Sequence, residues 1–108
     1  MDSLKKAILK VLQSYLEFLG EDPDTQLELI IDEKNHHYLL IEIGWQGHRR
    51  VYGTLIHLDI IDHKIWIQQD GTEEGVASEI VAQGIDPQQI VLGFKSLERR
   101  QITDFAIA

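Results

Sequence analysis

The chain has no cysteine, and basic side chains are scarce among its 108 residues. The lack of cysteine excludes disulfide bonds, thiol catalysis and zinc sites built from thiolates. Ten Lys and Arg residues stand against eighteen Asp and Glu residues, which gives a formal net charge of −8. Proteins that hold DNA through its phosphates need clustered Lys and Arg. We therefore expect no strong direct nucleic-acid binding, whereas a basic protein partner suits the charge.

Long hydrophobic runs are also absent. The longest apolar runs fall far short of the ~20 residues that cross a bilayer, and residues 1–12 lack the continuous apolar core of a signal peptide. We therefore expect no membrane partner and a cytoplasmic location. A composition of 44% hydrophobic and 26% charged residues is ordinary for a globular protein. The length predicts a single domain over residues 1–108.

An amphipathic helix is predicted over residues 2–19. Its apolar residues recur at spacings of three and four and are Leu4, Ile8, Val11, Leu12, Tyr15, Leu16 and Leu19. This spacing gives one apolar stripe along a helix, with charged residues mostly on the other side. We interpret the stripe as core packing. Contact with a second copy or with a partner helix is the alternative.

Four β-rich segments follow the helix, joined by short turns. They cover residues 27–32, 37–44, 49–60 and 64–69. Neighbouring segments cannot be parallel, because a parallel crossover needs a dozen or more residues. With a second helix after the strands, the predicted fold class is α+β: an antiparallel four-stranded sheet preceded by an N-terminal helix and followed by a second helix.

The third strand contains a glycine in its middle, Gly53. Such a glycine indicates a bulge or a close approach of another segment. Simple alternation along the strand places Leu55 on one face and Tyr52, Ile56 and Leu58 on the other. We expect Asp62 and His63 to form the turn into the fourth strand.

The second helix is predicted to begin at Thr72, a good N-cap residue, and to end at Gly84. Residues 90–94 are apolar and predict a buried extended segment. The C-terminal residues 105–108 are apolar as well, and we expect them to dock on this domain or on a second copy.

A group of histidines and carboxylates invites a metal-site interpretation. It consists of His57, Asp59, Asp62, His63 and Asp70. Imidazole and carboxylate ligands suit several divalent metals, but the spacing matches no known metal motif. We therefore interpret these residues as turn-forming and strand-lining, and we predict no metal ligand, cofactor or catalytic residue. The alternative is a metal-dependent hydrolase or nuclease that uses His57, Asp59 and Asp70.

Other reactive patterns are missing, and the remaining candidates are contacts to a partner. No serine lies in a Gly-x-Ser-x-Gly elbow. Trp45 and Trp66 lack the basic surroundings of a base-stacking site, which favours core or interface anchors. Arg99 and Arg100 are interpreted as a solvated or ion-paired end, with partner contact as the alternative. Together with Phe105, these four residues form the set of candidate partner contacts.

Segments along the whole chain fit one family pattern. They are His37-Tyr38-Leu39-Leu40, Gly44-Trp45, His57, residues 64–68, residues 70–73, Gly75, Gly84-Ile85, residues 90–94, Arg100, Thr103 and Phe105-Ala106. The most specific block is KIWIQ-x-DGTE at residues 64–73. With this block and its length, the chain closely resembles the XisI-like family, the excision controlling factors of the fdxN element in cyanobacteria.

The resemblance implies an accessory protein that acts with a partner, XisH, to control a site-specific recombinase that excises a DNA element. It implies no catalytic residue in this chain, because the recombinase supplies the strand chemistry. We therefore expect a non-enzymatic regulatory protein that forms a homodimer and binds an XisH-like protein, and through it a recombinase complex.

Overall fold

The computed structural model describes residues 2–20 and 22–108, without the side chain of Asp2. In chain order the elements are α1 (Asp2–Leu19), β1 (Thr25–Asp32), β2 (His37–Gln46), β3 (Arg49–Ile61), β4 (Lys64–Asp70), α2 (Val76–Ala82), a 3₁₀ turn (Pro87–Gln89), β5 (Ile90–Val91) and α3 (Leu97–Arg100). Across the described residues, no helix is both long enough and apolar enough to span a membrane.

The five strands form one mixed sheet in the order β1-β2-β3-β4-β5. Strands β1 to β4 pair antiparallel, which confirms the α+β class and the predicted hairpins. The four-stranded description is incomplete, because Ile90 and Val91 pair parallel with Ile65 and Trp66 of β4. The connection over residues 71–89 contains α2 and is long enough for a parallel crossover. A strand of two residues has no alternation that a sequence pattern could reveal.

Helix α1 covers one face of the sheet. Leu4, Ile8 and Leu12 are at most 1% exposed, and they belong to the same core cluster as the buried strand residues Leu40 and Leu58. Full burial of each such side chain contributes about 1.5–3 kcal/mol. The predicted helix is therefore confirmed, and its apolar stripe packs in the core as far as Leu16, whereas Leu19 is exposed.

A register shift in the β2–β3 pairing decides which residues of β3 face α1. Leu40 pairs with Ile56 but Ile41 pairs with Thr54, and Leu55 is therefore an extra residue on β3. Leu55 and Ile56 both pack into the core as a result, which is the effect of a β-bulge. The predicted alternation was wrong here, because the bulge places Tyr52 on the face opposite Ile56.

Gly53 is not the site of this bulge, and no segment of the described chain approaches it closely. It pairs in register with Glu42, and a Cβ atom built on it would meet nothing within 4 Å. The other strand glycine, Gly44, has close neighbours: a Cβ there would lie 2.2 Å from the Asp24 carbonyl oxygen. The close approach expected at Gly53 is therefore found at Gly44.

The second helix begins four residues later than predicted, at Val76, and Thr72 is not its N-cap. The N-cap residue is Gly75, whose φ of 89° favours glycine. Asp70 supplies the acceptor instead: its Oδ2 accepts a hydrogen bond of 2.8 Å from the Val76 backbone N–H, and its Oδ1 accepts from Thr72. The Asp70 carboxylate at the end of β4 therefore accepts a backbone N–H at the start of α2 that has no partner within the helix.

The C-terminal tail docks on its own domain, as one of the two predicted alternatives states. Ala106 forms a parallel bridge with Val91, and its N–H donates to the Ile90 carbonyl oxygen at 2.9 Å. Arg100 donates to the carbonyl oxygens of Lys95 and Ile107. The tail therefore extends the sheet edge beyond β5.

Replacing each of the two strand glycines tests the assignment of the close approach. We expect Gly44→Ala to lower the free energy of unfolding by about 1–3 kcal/mol, since the new methyl group meets backbone atoms of Asp24 and Thr25. Gly53→Ala is the matched control in open space, and we expect it to be neutral or stabilising by up to about 1 kcal/mol. Urea unfolding measures both, and equal losses would contradict the assignment.

Removing the carboxylate of Asp70 tests its role at the start of α2. We expect Asp70→Ala to lower the free energy of unfolding by about 1–2 kcal/mol, because the Val76 N–H loses its acceptor. Glu73→Ala, in the same loop and exposed, is the control and should leave stability within about 0.5 kcal/mol. Hydrogen exchange should speed up at the Val76 amide only in the first variant.

Candidate functional site

The face of the sheet opposite α1 carries both polar and apolar side chains, and we call it the open face. Along β2, Tyr38 and Leu40 are buried beneath α1. The intervening residues therefore point to the open face. Pairing across the strands gives its main residues as Gln26, Glu28, Ile30, His37, Leu39, Ile41, Ile43, Trp45, Arg50, Tyr52, Thr54, His57, Asp59 and Trp66.

Four side chains on the open face form a hydrogen-bonded group, which we call the polar cluster: His37, His57, Asp59 and Gln68. Asp59 Oδ1 accepts from His37 Nδ1 at 2.6 Å and from His57 Nε2 at 2.8 Å. Asp59 Oδ2 accepts from Gln68 Nε2 at 3.2 Å. His37 lies directly across from Asp59 in the β2–β3 register, and His57 precedes Asp59 by two residues. The strand pairing itself therefore brings the cluster together.

Asp59 is the buried centre of the polar cluster. It is 7% exposed and is the buried charged residue found among the described residues. A buried carboxylate needs hydrogen-bond donors or a counter-charge, and here three side-chain donors meet its two oxygens. The side chain of His37 is 45% accessible. The cluster is therefore reachable from solvent through His37.

Asp59 alters the acid–base behaviour of His37. The hydrogen bond to Asp59 and the negative charge of that carboxylate raise the pKa of His37 above its ordinary value of 6.5. Partial burial opposes this rise, and the charge of Asp32 adds to it. The protonated form of His37 is therefore favoured by the fold.

The structure does not bring together the three residues of the alternative metal-dependent enzyme. His57 and Asp59 share the open face as expected, but Asp70 pairs with the core residue Ile56 and caps α2. His57 pairs with Gln69 and Leu58 pairs with Ile67, so Gln68 is an extra residue on β4 and the register shifts by one. Asp70 is therefore on the helix side, and a site built from these three residues is wrong.

Two further histidine and carboxylate candidates, Asp62 and His63, form the β3–β4 turn as predicted. Their φ values are 49° and 63°. Positive φ at both central residues is the mark of a type I′ hairpin turn. These residues therefore serve the hairpin, and they lie outside the polar cluster.

Sequence reasoning missed His37 as a member of the cluster, and the bulge explains why. The pairing of Gln46 with Arg49, continued without a bulge, would place His37 opposite Leu58, and Asp59 would then lie on the other face of the sheet. The extra residue Leu55 shifts the partner by one, and His37 then faces Asp59. No local signal in the sequence marks Leu55 as the extra residue.

The candidate partner contacts lie in separate parts of the molecule. Trp45 is 53% exposed on the open face, with the Arg50 guanidinium 5.2 Å from its ring centroid. Trp66 is half-buried, and the Arg100 guanidinium lies 5.2 Å from its ring centroid. Arg99 is exposed on α3, and Phe105 packs against the core. Their role in partner contact stays a prediction, with Trp45 the most accessible aromatic of the set.

A pocket on the other side of the molecule lies between α1 and the segment that follows β4. Its lining residues are Val11, Ser14, Tyr15, Phe18, Leu19, Leu55, Gly71, Thr72, Glu73, Glu74 and Glu79. Phe18 at its rim is 80% exposed. Phe18 is therefore an exposed aromatic residue on the side of the molecule opposite Trp45, and substitutions at the two positions can compare the binding role of the two sides.

The raised pKa of His37 predicts a pH-dependent stability in metal-free buffer. Protonated His37 stabilises the folded state, and this contribution is complete below about pH 6.5. It is lost as the pH rises through the raised pKa of the folded state. We expect the wild type to lose stability over this interval relative to His37→Gln, measured by urea unfolding. His48→Gln is the control and should keep the pH dependence of the wild type.

Comparisons with known proteins agree over the full length of the chain. The model of the XisI protein family matches residues 1–107. A XisI-like protein from Anabaena variabilis is 39% identical, with a TM-score of 0.85 over 98% of this chain and 99% of that one. The fdxN element excision controlling factor XisI from Anabaena variabilis is 34% identical, with a TM-score of 0.84 over 99% of this chain and 97% of that one. No curated protein matches the chain. The chain belongs to the XisI family.

Proposed function

We propose that this chain is a non-enzymatic regulatory protein that controls the excision of a DNA element through a protein partner. The observation that carries the proposal is the match to the XisI family over residues 1–107. A structural neighbour of almost the same length is described as an excision controlling factor. The proposed partner is an XisH-like protein, and a recombinase complex is the proposed target of the pair.

The apolar end of the open face is the proposed partner surface. Exposed apolar residues there are Trp45 at 53% and Tyr52 at 69%. Half-buried Ile41 and Ile43 lie beside them on β2. Contiguous exposed apolar surface marks interaction sites, and Trp and Tyr are the residues that most often dominate binding energy. This end of the sheet therefore offers the anchors that a protein interface needs.

The charge of the chain supports a protein partner of opposite sign. A net charge of −8 repels the phosphates of DNA and attracts a basic protein. Control of excision by this chain therefore requires a partner that carries the DNA contacts. The homodimer and the cytoplasmic location expected from the sequence stay predictions.

Binding to a purified XisH-like protein tests the proposal. We expect binding of the wild type at micromolar concentration or below in isothermal titration calorimetry. Trp45→Glu and Tyr52→Glu should each weaken binding at least about tenfold, because each removes an aromatic anchor from the interface. Phe18→Glu, on the other side of the molecule and more exposed to solvent than either residue, is the control and should bind as the wild type does.

Two outcomes would count against the proposal. Absence of binding at micromolar concentration contradicts the XisH-like partner. Binding that survives Trp45→Glu and Tyr52→Glu but is lost in Phe18→Glu places the partner on the helix side and contradicts the open face. Light scattering of each free variant measures the oligomeric state independently, and a monomer would contradict the expected homodimer.

A further inference from the structure

We propose that the polar cluster binds one divalent transition-metal ion, with zinc as the best fit. The ligand atoms are His37 Nδ1, His57 Nε2 and one carboxylate oxygen of Asp59. These three donor atoms lie within 4.8 Å of one another. They come from two adjacent strands, β2 and β3, whose pairing fixes their positions. This inference is independent of the proposed control of excision.

The chemistry of the donor set selects the class of metal. Two imidazole nitrogens and one carboxylate suit zinc and its neighbours among the transition metals. Magnesium and calcium prefer oxygen ligands, and the two imidazoles disfavour them. Three protein ligands leave a fourth tetrahedral position, which water or a partner residue can fill. The arrangement therefore fits an accessible zinc site.

The burial of Asp59 supplies a physical reason for a cation. Its carboxylate is 7% exposed, and the ion pairs found for it among the described residues are those with His37 and His57. In the metal-bound form, both imidazoles are neutral and direct a lone pair at the ion. The ion then supplies the counter-charge that the buried carboxylate needs.

Gln68 has the position of an outer support for this site. Its Nε2 donates to Asp59 Oδ2 at 3.2 Å, which leaves Oδ1 to face the two imidazoles. Hydrogen bonds of this kind orient the ligands of metal sites. The access route is His37, whose side chain is 45% accessible. Gln68 therefore orients the Asp59 carboxylate, and the site is accessible to solvent through His37.

This proposal departs from the expectation that no residue of the chain binds a metal. That expectation rested on the spacing of histidines and carboxylates along the sequence, which does not include His37. The third ligand is twenty residues before His57 and joins it only through strand pairing. A set of metal ligands that meets only because of a β-bulge cannot be recognised from the spacing of residues along the sequence.

Zinc binding by the chelator-treated protein tests the proposal. We expect calorimetric titration with ZnCl₂ to show one ion per chain, and the Tm to rise with zinc concentration but not with MgCl₂. His37→Ala and His57→Ala should each abolish the zinc-dependent rise. Gln68→Ala should weaken zinc binding by about 10–100-fold, as loss of an outer hydrogen bond does at other metal sites. His48→Ala, outside the cluster, is the matched control and should bind zinc as the wild type does.

Folding of the variants is checked by circular dichroism without metal. His37→Gln replaces His37→Ala, and His57→Gln replaces His57→Ala, if the alanine variant fails to fold. No zinc-dependent heat or Tm shift in the wild type would overturn the proposal. Equal zinc binding in the wild type and the His37 variants would also overturn it, since the ion would then lie elsewhere. Partner binding is measured in chelator, and its loss or retention therefore reports on the proposed function alone.

Discussion

The one-residue shift in the pairing of β2 with β3 is the constraint on which the rest of the structure depends. Leu55 is the extra residue, and it divides β3 into two segments of opposite phase. Before the shift, Tyr52 faces away from α1; after it, Ile56 and Leu58 face α1 and are fully buried. Because side chains alternate every residue, a single insertion exchanges the two faces of the strand.

Both faces of the sheet are used, but in different ways. The face toward α1 is a continuous apolar core that includes Ile8, Leu12, Leu40 and Leu58. The β4 side of the open face is covered, since Gly93 passes so close to Trp66 and Gln68 that a Cβ atom would meet both. The core therefore supplies stability, whereas Trp45 and Tyr52 on the open face remain exposed to solvent.

The open face combines two kinds of surface along one pair of strands. Its apolar end holds Trp45 and Tyr52 near the β2–β3 hairpin, and its polar end holds His37 and Asp59. In the proposed function, the apolar end is the surface for the partner. An ion at the polar end would tie β2 to β3 beside that surface. The two proposals share a face but depend on different atoms.

The sequence by itself determined the α+β class, α1, the four antiparallel strands and the family. These features follow from local periodicity, short turns and segments such as residues 64–73, all of which are visible without coordinates. The tertiary structure alone decided the parallel β5, the capping of α2 by Asp70 and the meeting of His37 with Asp59. The pairing of β5 and the His37–Asp59 contact depend on register between distant segments, which a one-residue bulge changes without leaving a mark in the local pattern. The cap joins residues only six apart, but Thr72 in the same segment offers an equally suitable capping side chain.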